Sequence, residues 1–478
     1  MPAIAFPGTA MPEAYEFDLL VIGSGPSGQR AAVQAAKLGK RVGLIERRRG
    51  VGGVSLHLGT IPSKTFREAV MSVRGEAAMQ AMEIAGIDPV RPTMDMLLRR
   101  VEHVMSEEGR VIRDQLLRND VTLVSGSASF VDAHTLLVEG LTGERRITAG
   151  NILIATGTRA RVPPGCTTDG SLIFTSDDIV SLRTLPRALV VVGGGVIGVE
   201  YASMFARLGT QVTLVEAHDR PISFMDHETV DEFMHELRER KVIFRCGEAV
   251  KCISAQDSGG ATRAVVELES GKRLVGDCVL VSAGRQGCVD GLNLQAAGLA
   301  ATERGLITVD SFFRTAVPHI YATGDIIGFP ALAATSAEQG RIAACHMFGE
   351  PVAEIGDRYP LGIYAIPELS AVGATEEQLT TDRVPYEIGV ARYSETARGQ
   401  ISGASRGFLK LLFHRTDRTL LGVHICGASA TELVHIGQAV MGLGGGLDYL
   451  LSTVFNYPTF AECYKMAALN AANKLRVE

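Results

Sequence analysis

The sequence predicts an α/β protein in which one strand–turn–helix–strand unit occurs twice. Three observations support this class. The chain has 478 residues, enough for about three domains of ordinary size. Its composition, 46% apolar and 21% charged, is that of a globular protein with large buried cores. The segment Val21–Glu46 also matches Val191–Glu216 without a gap, at a constant offset of 170 residues.

Local patterns predict each element of the repeat. The runs YEFDLLVIG and RALVVVG are rich in strand-forming apolar residues, and each ends at a glycine. The helices that follow carry small or apolar residues at helical spacing, and each stops at a Leu-Gly pair. The next strand of each unit ends on an acid, Glu46 or Glu216.

The turn of each copy contains three glycines at the same spacing. In a dinucleotide site the first glycine makes the turn, the second lets backbone N–H groups approach a pyrophosphate, and the third lets the helix pack on the strand. The closing acid accepts hydrogen bonds from ribose hydroxyls. Two unrelated glycine turns are the alternative, but they would not explain the shared acid. We therefore predict two dinucleotide sites, for a flavin and a nicotinamide. The glycines are Gly23, Gly25 and Gly28 in the first copy and Gly193, Gly195 and Gly198 in the second.

Two further motifs extend the pattern, NILIATGTRA (151–160) and HIYATGDIIG (319–328). With them the chain resembles the pyridine nucleotide–disulfide oxidoreductase family, of dihydrolipoamide dehydrogenase and glutathione reductase type, from about Tyr15 to the C-terminus. The resemblance implies two Rossmann-like domains, with an NAD(P) domain inserted in an FAD domain, and a C-terminal α+β dimerisation domain. The implied boundaries are 15–160 and 286–350 for the FAD domain, 161–285 for the NAD(P) domain and 351–478 for the interface domain.

The resemblance also implies which residues bind the cofactors FAD, NAD and NADP. Asp325 would hold the ribityl chain of the flavin, and a helix beginning near Ala333 would face its C2 carbonyl with a favourable dipole. No metal site is expected. The implied cofactor-binding residues are Gly23, Gly25, Pro26, Ser27, Gly28, Glu46, Arg47, Gly52, Gly53, Ser55, Thr60, Lys64, Ala128, Ala155, Thr156, Gly157, Gly193, Gly195, Val196, Ile197, Gly198, Glu200, Glu216, Gly284, Asp325 and Ala333.

The sulfur atoms of a disulfide reductase are missing from this chain. Family members with that activity carry C-x4-C shortly before Pro-Ser-Lys, and here Ser55 and Thr60 hold the two positions. Hydroxyls cannot form a disulfide or act as a thiolate. The chain has eight cysteines, but none of them forms a CxxC pair. Disulfide reduction is therefore not expected.

The acid–base group that serves those thiols is missing as well. In NYPTFAE, Tyr457 stands where family reductases have a histidine, while Glu462 remains. A phenol is a poor proton shuttle at neutral pH. Tyr457 either has a new role or fills the space of the histidine. His57 is either a replacement base or a structural residue.

The residues that hydride transfer needs are retained. Lys64 resembles the family lysine beside flavin N5, and Glu200 resembles the glutamate that pairs with it. The alternative is that both are ordinary charges on helix surfaces. The transfer itself requires stacking geometry and electrostatics rather than an obligatory acid or base. Lys64 and Glu200 are therefore the predicted catalytic residues.

These features together predict a flavoenzyme that needs an external electron acceptor. The motifs GTIPSK, GIYAIPELSAVGATEEQL, HIGQAV and FNYPTFAECYK resemble the soluble, Si-specific transhydrogenase branch of the family. Some members of that branch keep a first cysteine where this chain has Ser55. The expected reaction is hydride transfer from NADPH to NAD⁺ through FAD, with ping-pong kinetics. NADH, NADPH, NAD⁺ and NADP⁺ are the expected substrates. The alternatives are an NAD(P)H diaphorase or quinone reductase and a non-catalytic flavin-binding sensor.

The second site must accommodate two nucleotides in this reaction. Glu216 should bind the NAD ribose and repel the 2′-phosphate of NADP. His218 and Arg220, just after it, either compensate with positive charge and donors or are simple loop residues.

Charge, hydropathy and cysteine usage indicate which partners and which cellular compartment to expect. The net charge of −6 and scattered basic residues predict no nucleic-acid partner. No segment predicts a membrane span or a secretion signal, and residues before Tyr15 are expected to be a disordered lead with Met11 as a candidate start. Isolated, apolar-flanked cysteines suggest buried thiols in a reducing compartment. We therefore expect a cytoplasmic protein, and the resemblance of its C-terminal domain implies a homodimer, or a larger homo-oligomer.

Overall fold

A computed structural model describes residues 15–476 apart from 76–78, 80, 83, 87–91, 142, 164, 259–260 and 357. The N-terminal lead and the candidate start at Met11 lie outside the described residues. The chain divides into two compact units. The first contains the chain up to His57 with Glu107–Arg159 and Gln286–Ile355, and the second contains Leu58–Ser106, Ala160–Arg285 and Gly356–Glu478.

Helices and strands alternate in the two repeated units, while several helices or strands follow one another elsewhere in the described chain. The helices are α1 (Pro26–Lys37), α2 (Gly53–His57), α3 (Thr60–Arg74), α4 (Met94–Leu117), α5 (Val196–Arg207), α6 (His227–Glu239), α7 (Ala333–Met347), α8 (Glu376–Thr381), α9 (Ala397–Ser402), α10 (Ala430–Gly442), α11 (Leu447–Ser452) and α12 (Glu462–Arg476). The strands are β1 (Phe17–Ile22), β2 (Val42–Glu46), β3 (Thr122–Ser125), β4 (Ser127–Phe130), β5 (Thr135–Gly140), β6 (Gly143–Ile154), β7 (Thr158–Ala160), β8 (Ile173–Thr175), β9 (Ala188–Val192), β10 (Gln211–Glu216), β11 (Ile243–Cys246), β12 (Val250–Ser258), β13 (Ala261–Leu268), β14 (Arg273–Gly276), β15 (Cys278–Val281), β16 (Arg285–Gly287), β17 (Ile320–Ala322), β18 (Leu361–Ile363), β19 (Leu369–Gly373), β20 (Tyr386–Arg392), β21 (Gly407–His414) and β22 (Leu420–Gly427).

The first unit is built on a sheet with the strand order β3-β2-β1-β6-β5-β4, in which β17 also pairs with β6. β1 lies parallel to β2 and β6, while β4, β5 and β6 form an antiparallel meander. Leu19, Leu20 and Val21 of β1 are fully buried, as expected for a strand covered on both faces. α1 packs closely on α7, because a Cβ on Gly340 would lie 2.1 Å from the Ser27 carbonyl oxygen.

The second unit contains a parallel sheet with the order β11-β10-β9-β15-β8 and a separate antiparallel sheet, β12-β13-β14. α5 is buried along most of its length, since Val199, Ala202 and Met204 have no exposed surface. The predicted second copy of the repeat thus forms β9, α5 and β10, with the strands adjacent and parallel.

The second unit also contains the antiparallel sheet β18-β19-β22-β21-β20. The predicted strands FLKLLFHR and LLGVHICG form β21 and β22 side by side, which confirms that expectation. α12 packs directly on this sheet, because a Cβ on Gly389 would lie 2.0 Å from the Ala467 carbonyl oxygen.

A buried ionic cluster joins β21 to the start of α6. The Lys410 side chain is fully buried, and its Nζ lies 3.0 Å from both carboxylate oxygens of Asp226 and 3.0 Å from Glu228 Oε2. Lys410 also donates to Glu376. Burial lowers the pKa of Lys410, but the carboxylates outweigh it and raise the pKa above its ordinary value. The ammonium therefore stays charged inside the unit.

The cysteines differ in part from the sequence-based expectation. All eight are free, and five are buried, but Cys166, Cys246 and Cys252 are only partly buried. The prediction of buried thiols is wrong for these three, because β11 and β12 lie at sheet edges and Cys166 lies outside the strands. Among the residues that the structure describes, no helix combines the length and apolar character that crossing a bilayer requires.

We expect Lys410→Met to destabilise the protein by about 3–5 kcal/mol, because it leaves the buried carboxylate of Asp226 without a cation. The measurement is the urea midpoint followed by circular dichroism. Lys272→Met is the matched control, since Lys272 pairs with Glu248 at the surface and is 57% exposed; it should unfold close to the wild-type midpoint. Equal midpoints for Lys410→Met and the wild type would contradict the prediction.

Candidate nucleotide sites and active-site residues

The first glycine turn joins β1 to α1. Gly23 has φ +104°, and a Cβ there would lie 2.4 Å from the Ala155 carbonyl oxygen. A Cβ on Gly28 would lie 2.0 Å from the Gly23 carbonyl oxygen, so only glycine allows this contact between helix and turn. Gly25 is the N-cap of α1, Pro26 is its first residue, and no side chain caps the helix. The first N–H groups of α1 are therefore available to a ligand.

Glu46, at the end of β2, is held by the turn it faces. Its carboxylate accepts hydrogen bonds from the backbone N–H and the hydroxyl of Ser24 and from Arg48 N–H, the last at 2.8 Å. The same Ser24 hydroxyl accepts Gly52 N–H at 2.9 Å. A Cβ on Gly53 would lie 2.8 Å from Gly25 Cα, so two backbone segments meet beside the turn.

The Ala-Thr-Gly segments of the first unit carry unpaired hydroxyls. Within the described ranges, Thr156 Oγ1 and Thr323 Oγ1 are buried and have no hydrogen-bond partner. Buried polar atoms are normally satisfied, so these two indicate a missing polar group. Asp325, two residues after Thr323, accepts a hydrogen bond from Thr158 Oγ1 at 3.2 Å. These residues fit a polar cofactor such as FAD.

The other predicted residues of the first unit lie on several of its helices, strands and turns. Ser27 is buried and donates to the Thr323 carbonyl at 3.3 Å. α7 begins at Ala333, where the helix was expected. The remaining predicted positions of this unit are Arg47, which is exposed after β2; Ser55, half-buried in α2; Ala128, half-buried in β4; Ala155, buried after β6; and Gly157, with φ +65°.

The second glycine turn repeats the geometry of the first. A Cβ on Gly193 would lie 2.5 Å from the Ser282 carbonyl oxygen, and one on Gly198 would lie 1.9 Å from the Gly193 carbonyl oxygen. Gly195 is the N-cap of α5, again without a side-chain cap, and a Cβ there would meet no heavy atom within 4 Å. This open, uncapped helix end fits a pyrophosphate. Val196 and Ile197 form the first turn of α5, and Gly284 accepts Arg161 N–H at 3.0 Å.

Glu216 ends β10, and its carboxylate accepts more hydrogen bonds from the protein than the sequence indicates. It accepts hydrogen bonds from Gly194 N–H at 2.5 Å, His218 N–H at 2.9 Å and His218 Nδ1–H at 2.6 Å. Burial raises the pKa of Glu216, but these hydrogen bonds outweigh it and lower the pKa below its ordinary value. Arg220 lies nearby in sequence and pairs with Asp231 at 3.3 Å.

Lys64 and Glu200 come together in the second unit. Lys64 Nζ lies 2.8 Å from both carboxylate oxygens of Glu200. Glu200 also accepts Tyr364 N–H at 2.9 Å, and the Lys64 ammonium lies 5.0 Å from the centre of the Tyr364 ring. The Glu200 side chain is 3% exposed and that of Lys64 is 27% exposed. A nearly buried carboxylate thus fixes a cation that remains accessible; the catalytic role of the pair stays a prediction.

The two positions without sulfur lie in consecutive helices. Thr60 is the first residue of α3 and is half-buried, as is Ser55 in α2. His57 Nε2 lies 3.1 Å from the Val51 carbonyl, which favours its structural reading. Tyr457 is 69% exposed, so it fills no space inside its own chain. Glu462 Oε1 is buried with no partner in the described part of the chain.

Several contributing residues were missed by sequence reasoning. Ser24 and Ser282 brace the two turns, Tyr364 holds Glu200, and Thr323 offers a buried hydroxyl. Ser24 lies in the repeated segment and Thr323 lies in HIYATGDIIG, and both could have been found there. Tyr364 lies in the quoted motif GIYAIPELSAVGATEEQL, but the motif does not reveal its contact with Glu200, which spans 164 residues of chain. In the described ranges, no three His, Cys, Asp or Glu side chains lie together as metal ligands would.

Comparisons with known proteins agree with this geometry. A family model described as pyridine nucleotide-disulphide oxidoreductase matches residues 17–340, and the dimerisation-domain model of that description matches residues 359–468. A soluble pyridine nucleotide transhydrogenase of Mycobacterium bovis (strain BCG / Pasteur 1173P2) is 53% identical over 466 residues, covering 96% of this chain and 98% of that protein. One from Escherichia coli O6:K15:H31 (strain 536 / UPEC) is 41% identical over 470 residues, covering 97% and 100%.

A solved structure shares the fold. The HOCl-induced flavoprotein disulfide reductase RclA from Escherichia coli superposes with a TM-score of 0.84 at 28% identity, covering 95% of this chain and 99% of that one. Together with the family matches, this similarity confirms the predicted α/β fold class. The domain boundaries stay a prediction.

We expect Gly195→Ala to weaken NAD⁺ binding by about tenfold or more, because its Cβ fills the space before the uncapped end of α5. Folding should be unaffected, since φ is −71° and the Cβ meets nothing. The measurements are NAD⁺ affinity by calorimetry and flavin content by absorbance. Gly25→Ala is the matched control and should show the reverse pattern, with less flavin and unchanged NAD⁺ affinity. Unchanged NAD⁺ affinity in Gly195→Ala would contradict the prediction.

Proposed function

The chain belongs to the pyridine nucleotide-disulphide oxidoreductase family, and from this premise we propose that it transfers hydride between NADPH and NAD⁺. It is a flavoprotein oxidoreductase with FAD as cofactor and NAD(P)H and NAD(P)⁺ as substrates. Both relatives described above are named soluble pyridine nucleotide transhydrogenase.

One observation carries the choice of reaction. Ser55 and Thr60 occupy the positions of the reactive cysteines, so this site has no thiol to receive electrons. The two glycine turns, their acids and the Lys64–Glu200 pair are all retained. An enzyme that keeps nucleotide binding but lacks its own acceptor needs an external one, and the names of both relatives favour a second nucleotide in that role. The comparisons favour neither the diaphorase nor the flavin-binding sensor.

Separate groups of residues would bind FAD, bind the nicotinamide nucleotides and position the Lys64 ammonium. The first glycine turn, Glu46 and Asp325 would hold FAD, and the second turn and Glu216 would hold the nicotinamide nucleotides. Bound FAD would supply a group that can take up a hydride and release it again. Lys64 supplies a fixed positive charge, and Glu200 sets the position of its ammonium through two 2.8 Å contacts.

We further propose a cytoplasmic homodimer that uses the Si face of the nicotinamide. Exposed apolar side chains support the dimer, since Leu443, Tyr449 and Val454 are 89%, 54% and 93% exposed within the residues matched by the dimerisation-domain model. Free, unpaired cysteines support a reducing compartment. NADPH deuterated at the pro-S position of C4 should yield label-free NADP⁺ if the Si face is used. Retained label would contradict this face.

We expect the purified holoenzyme to reduce an NAD⁺ analogue with NADPH, followed at a wavelength where only the reduced analogue absorbs. Ping-pong kinetics should give parallel lines in double-reciprocal plots. Lipoamide and glutathione disulfide should accept no electrons from the reduced enzyme. NADPH oxidation that occurs only with a quinone would contradict the proposal and favour a diaphorase. Gly195→Ala serves as the control with a damaged nucleotide site.

We expect Lys64→Met to lower the turnover number by about 10²-fold, because a charge aimed at the reacting groups is lost. Lys64→Arg should restore part of the rate. The double variant Lys64→Met/Glu200→Gln removes the buried charge that Lys64→Met leaves behind, so it separates lost rate from lost folding. The exposed Lys37→Met is the surface control. A wild-type turnover number in Lys64→Met would exclude a catalytic role.

A further inference from the structure

An aromatic side chain lies beside the Lys64 ammonium, on a segment that has no role in the proposed function. Tyr364 follows β18 and is half-buried. Its ring centre lies 5.0 Å from Lys64 Nζ, which is within the range where the electron-rich face of an aromatic ring attracts a cation. Burial raises the pKa of the Tyr364 phenol, so Lys64 lies beside a neutral ring and not beside a phenolate.

The backbone of Tyr364 contacts the partner of this lysine. Its N–H donates to Glu200 Oε1 at 2.9 Å, and both carboxylate oxygens of Glu200 accept from Lys64 at 2.8 Å. Tyr364 therefore contacts both members of the ion pair, one through its backbone and the other through its ring. A lysine has a flexible stem, so a carboxylate alone leaves its ammonium several positions. A second contact from another segment restricts that freedom.

The Tyr364 ring is itself held in place. Its hydroxyl forms a hydrogen bond with the side chain of Thr431, which lies in the first turn of α10. Thr431 donates its own hydroxyl hydrogen to Glu368 at 2.9 Å. A Cβ on Gly362 would lie 3.5 Å from Tyr364 Cε2 and 3.1 Å from Thr431 Cγ2, so β18 passes close to both side chains. The ring is thus anchored at its hydroxyl and packed along its edge.

The residues after Tyr364 bind the two helices that carry the ion pair. Arg67, in α3 with the lysine, donates to the Ala365 carbonyl at 3.1 Å. Ser203, in α5 with the carboxylate, accepts Ile366 N–H at 2.9 Å. These contacts connect one short segment to both helices. The separation between the ring and the ammonium is therefore fixed by the fold of this unit.

We propose that Tyr364 is a positioning residue for the reaction, because its ring face holds the Lys64 ammonium where the charge acts on the reacting groups. The inference rests on the proposed function, from which it takes the role of Lys64. It adds a third member to the Lys64–Glu200 pair, and this member acts only through the lysine.

The first test is a double-mutant cycle on the reduction of flavin by NADPH in the holoenzyme, followed by stopped-flow absorbance without oxygen. Tyr364→Leu should lower the limiting rate constant about fivefold and leave the half-saturating NADPH concentration unchanged. In a Lys64→Met background the same substitution should change the rate constant by less than about twofold, because the cation that it positions is gone. Fivefold losses in both backgrounds would overturn the inference.

Fluorinated phenylalanines at position 364 separate the charge of the ring from its shape. Tyr364→Phe keeps the ring face and should retain at least about half of the wild-type rate constant. Each added fluorine withdraws electron density from the face while the ring still fills its space, so the rate constant should fall stepwise. Equal rate constants along the series would overturn the inference. This series decides the question if Tyr364→Leu does not fold.

A chemical measurement tests the contact without turnover. The holoenzyme is methylated with formaldehyde and cyanoborohydride, and the methylation of each lysine is followed by peptide mass spectrometry. Tyr364→Leu should speed methylation of Lys64 about threefold, because the amine has one contact fewer to leave. Phe348→Leu is the matched control, since the Phe348 ring centre lies 5.1 Å from Lys40 Nζ. It should speed methylation of Lys40 and leave that of Lys64 unchanged.

The outcomes separate the two hypotheses. If methylation of Lys64 is unchanged in Tyr364→Leu, or if the rate losses are equal with and without the lysine, the positioning role is wrong while the proposed function stands. If NADPH does not reduce the flavin of the wild type, the proposed function fails and the role in the reaction fails with it. The methylation rates would then still show whether the ring holds the ammonium.

Discussion

The close contact between a helix and the turn before it is the constraint on which both proposed nucleotide sites depend. A Cβ would lie only 2.0 Å from a carbonyl oxygen at Gly28 and 1.9 Å at Gly198. With glycine at these positions, α1 and α5 approach their strands, and each presents an uncapped N-terminus at the carboxyl edge of its sheet. The positions of the acids at the ends of β2 and β10 follow from the same geometry.

Four residues outside the glycine turns determine which chemistry the chain can perform: Lys64, Glu200, Ser55 and Thr60. Glu200 is almost buried and holds the Lys64 ammonium with two equal contacts, which fixes a charge without hiding it. Beyond this pair, Ser55 and Thr60 offer hydroxyls that cannot relay electrons. The similarity to a flavoprotein disulfide reductase, at 28% identity and a TM-score of 0.84, shows that the two proteins share a fold.

The sequence predicted the repeat well because its signals are local. α1 begins at Pro26 and ends before Leu38-Gly39, as the periodicity and glycines indicated. The hydrogen-bond partners of Glu216 were harder to predict from the sequence, because the His218 ring reaches the carboxylate only through the conformation of the loop between them. The Glu200–Tyr364 contact, made across long sequence separation, carries no periodic signal at all. The partly buried cysteines were mispredicted because flanking apolar residues do not reveal which strands lie at an edge.

The lysine within the apolar strand β21 has an evolutionary consequence. Lys410 neutralises carboxylates from two distant segments, the buried Asp226 and the partly exposed Glu376. Neither Lys410 nor Asp226 is tolerable in its buried position without the other. A lineage that replaced the lysine with an apolar residue would need to remove Asp226 in nearly the same step. The two positions should therefore be inherited as a pair, changing together or not at all among descendants of this chain.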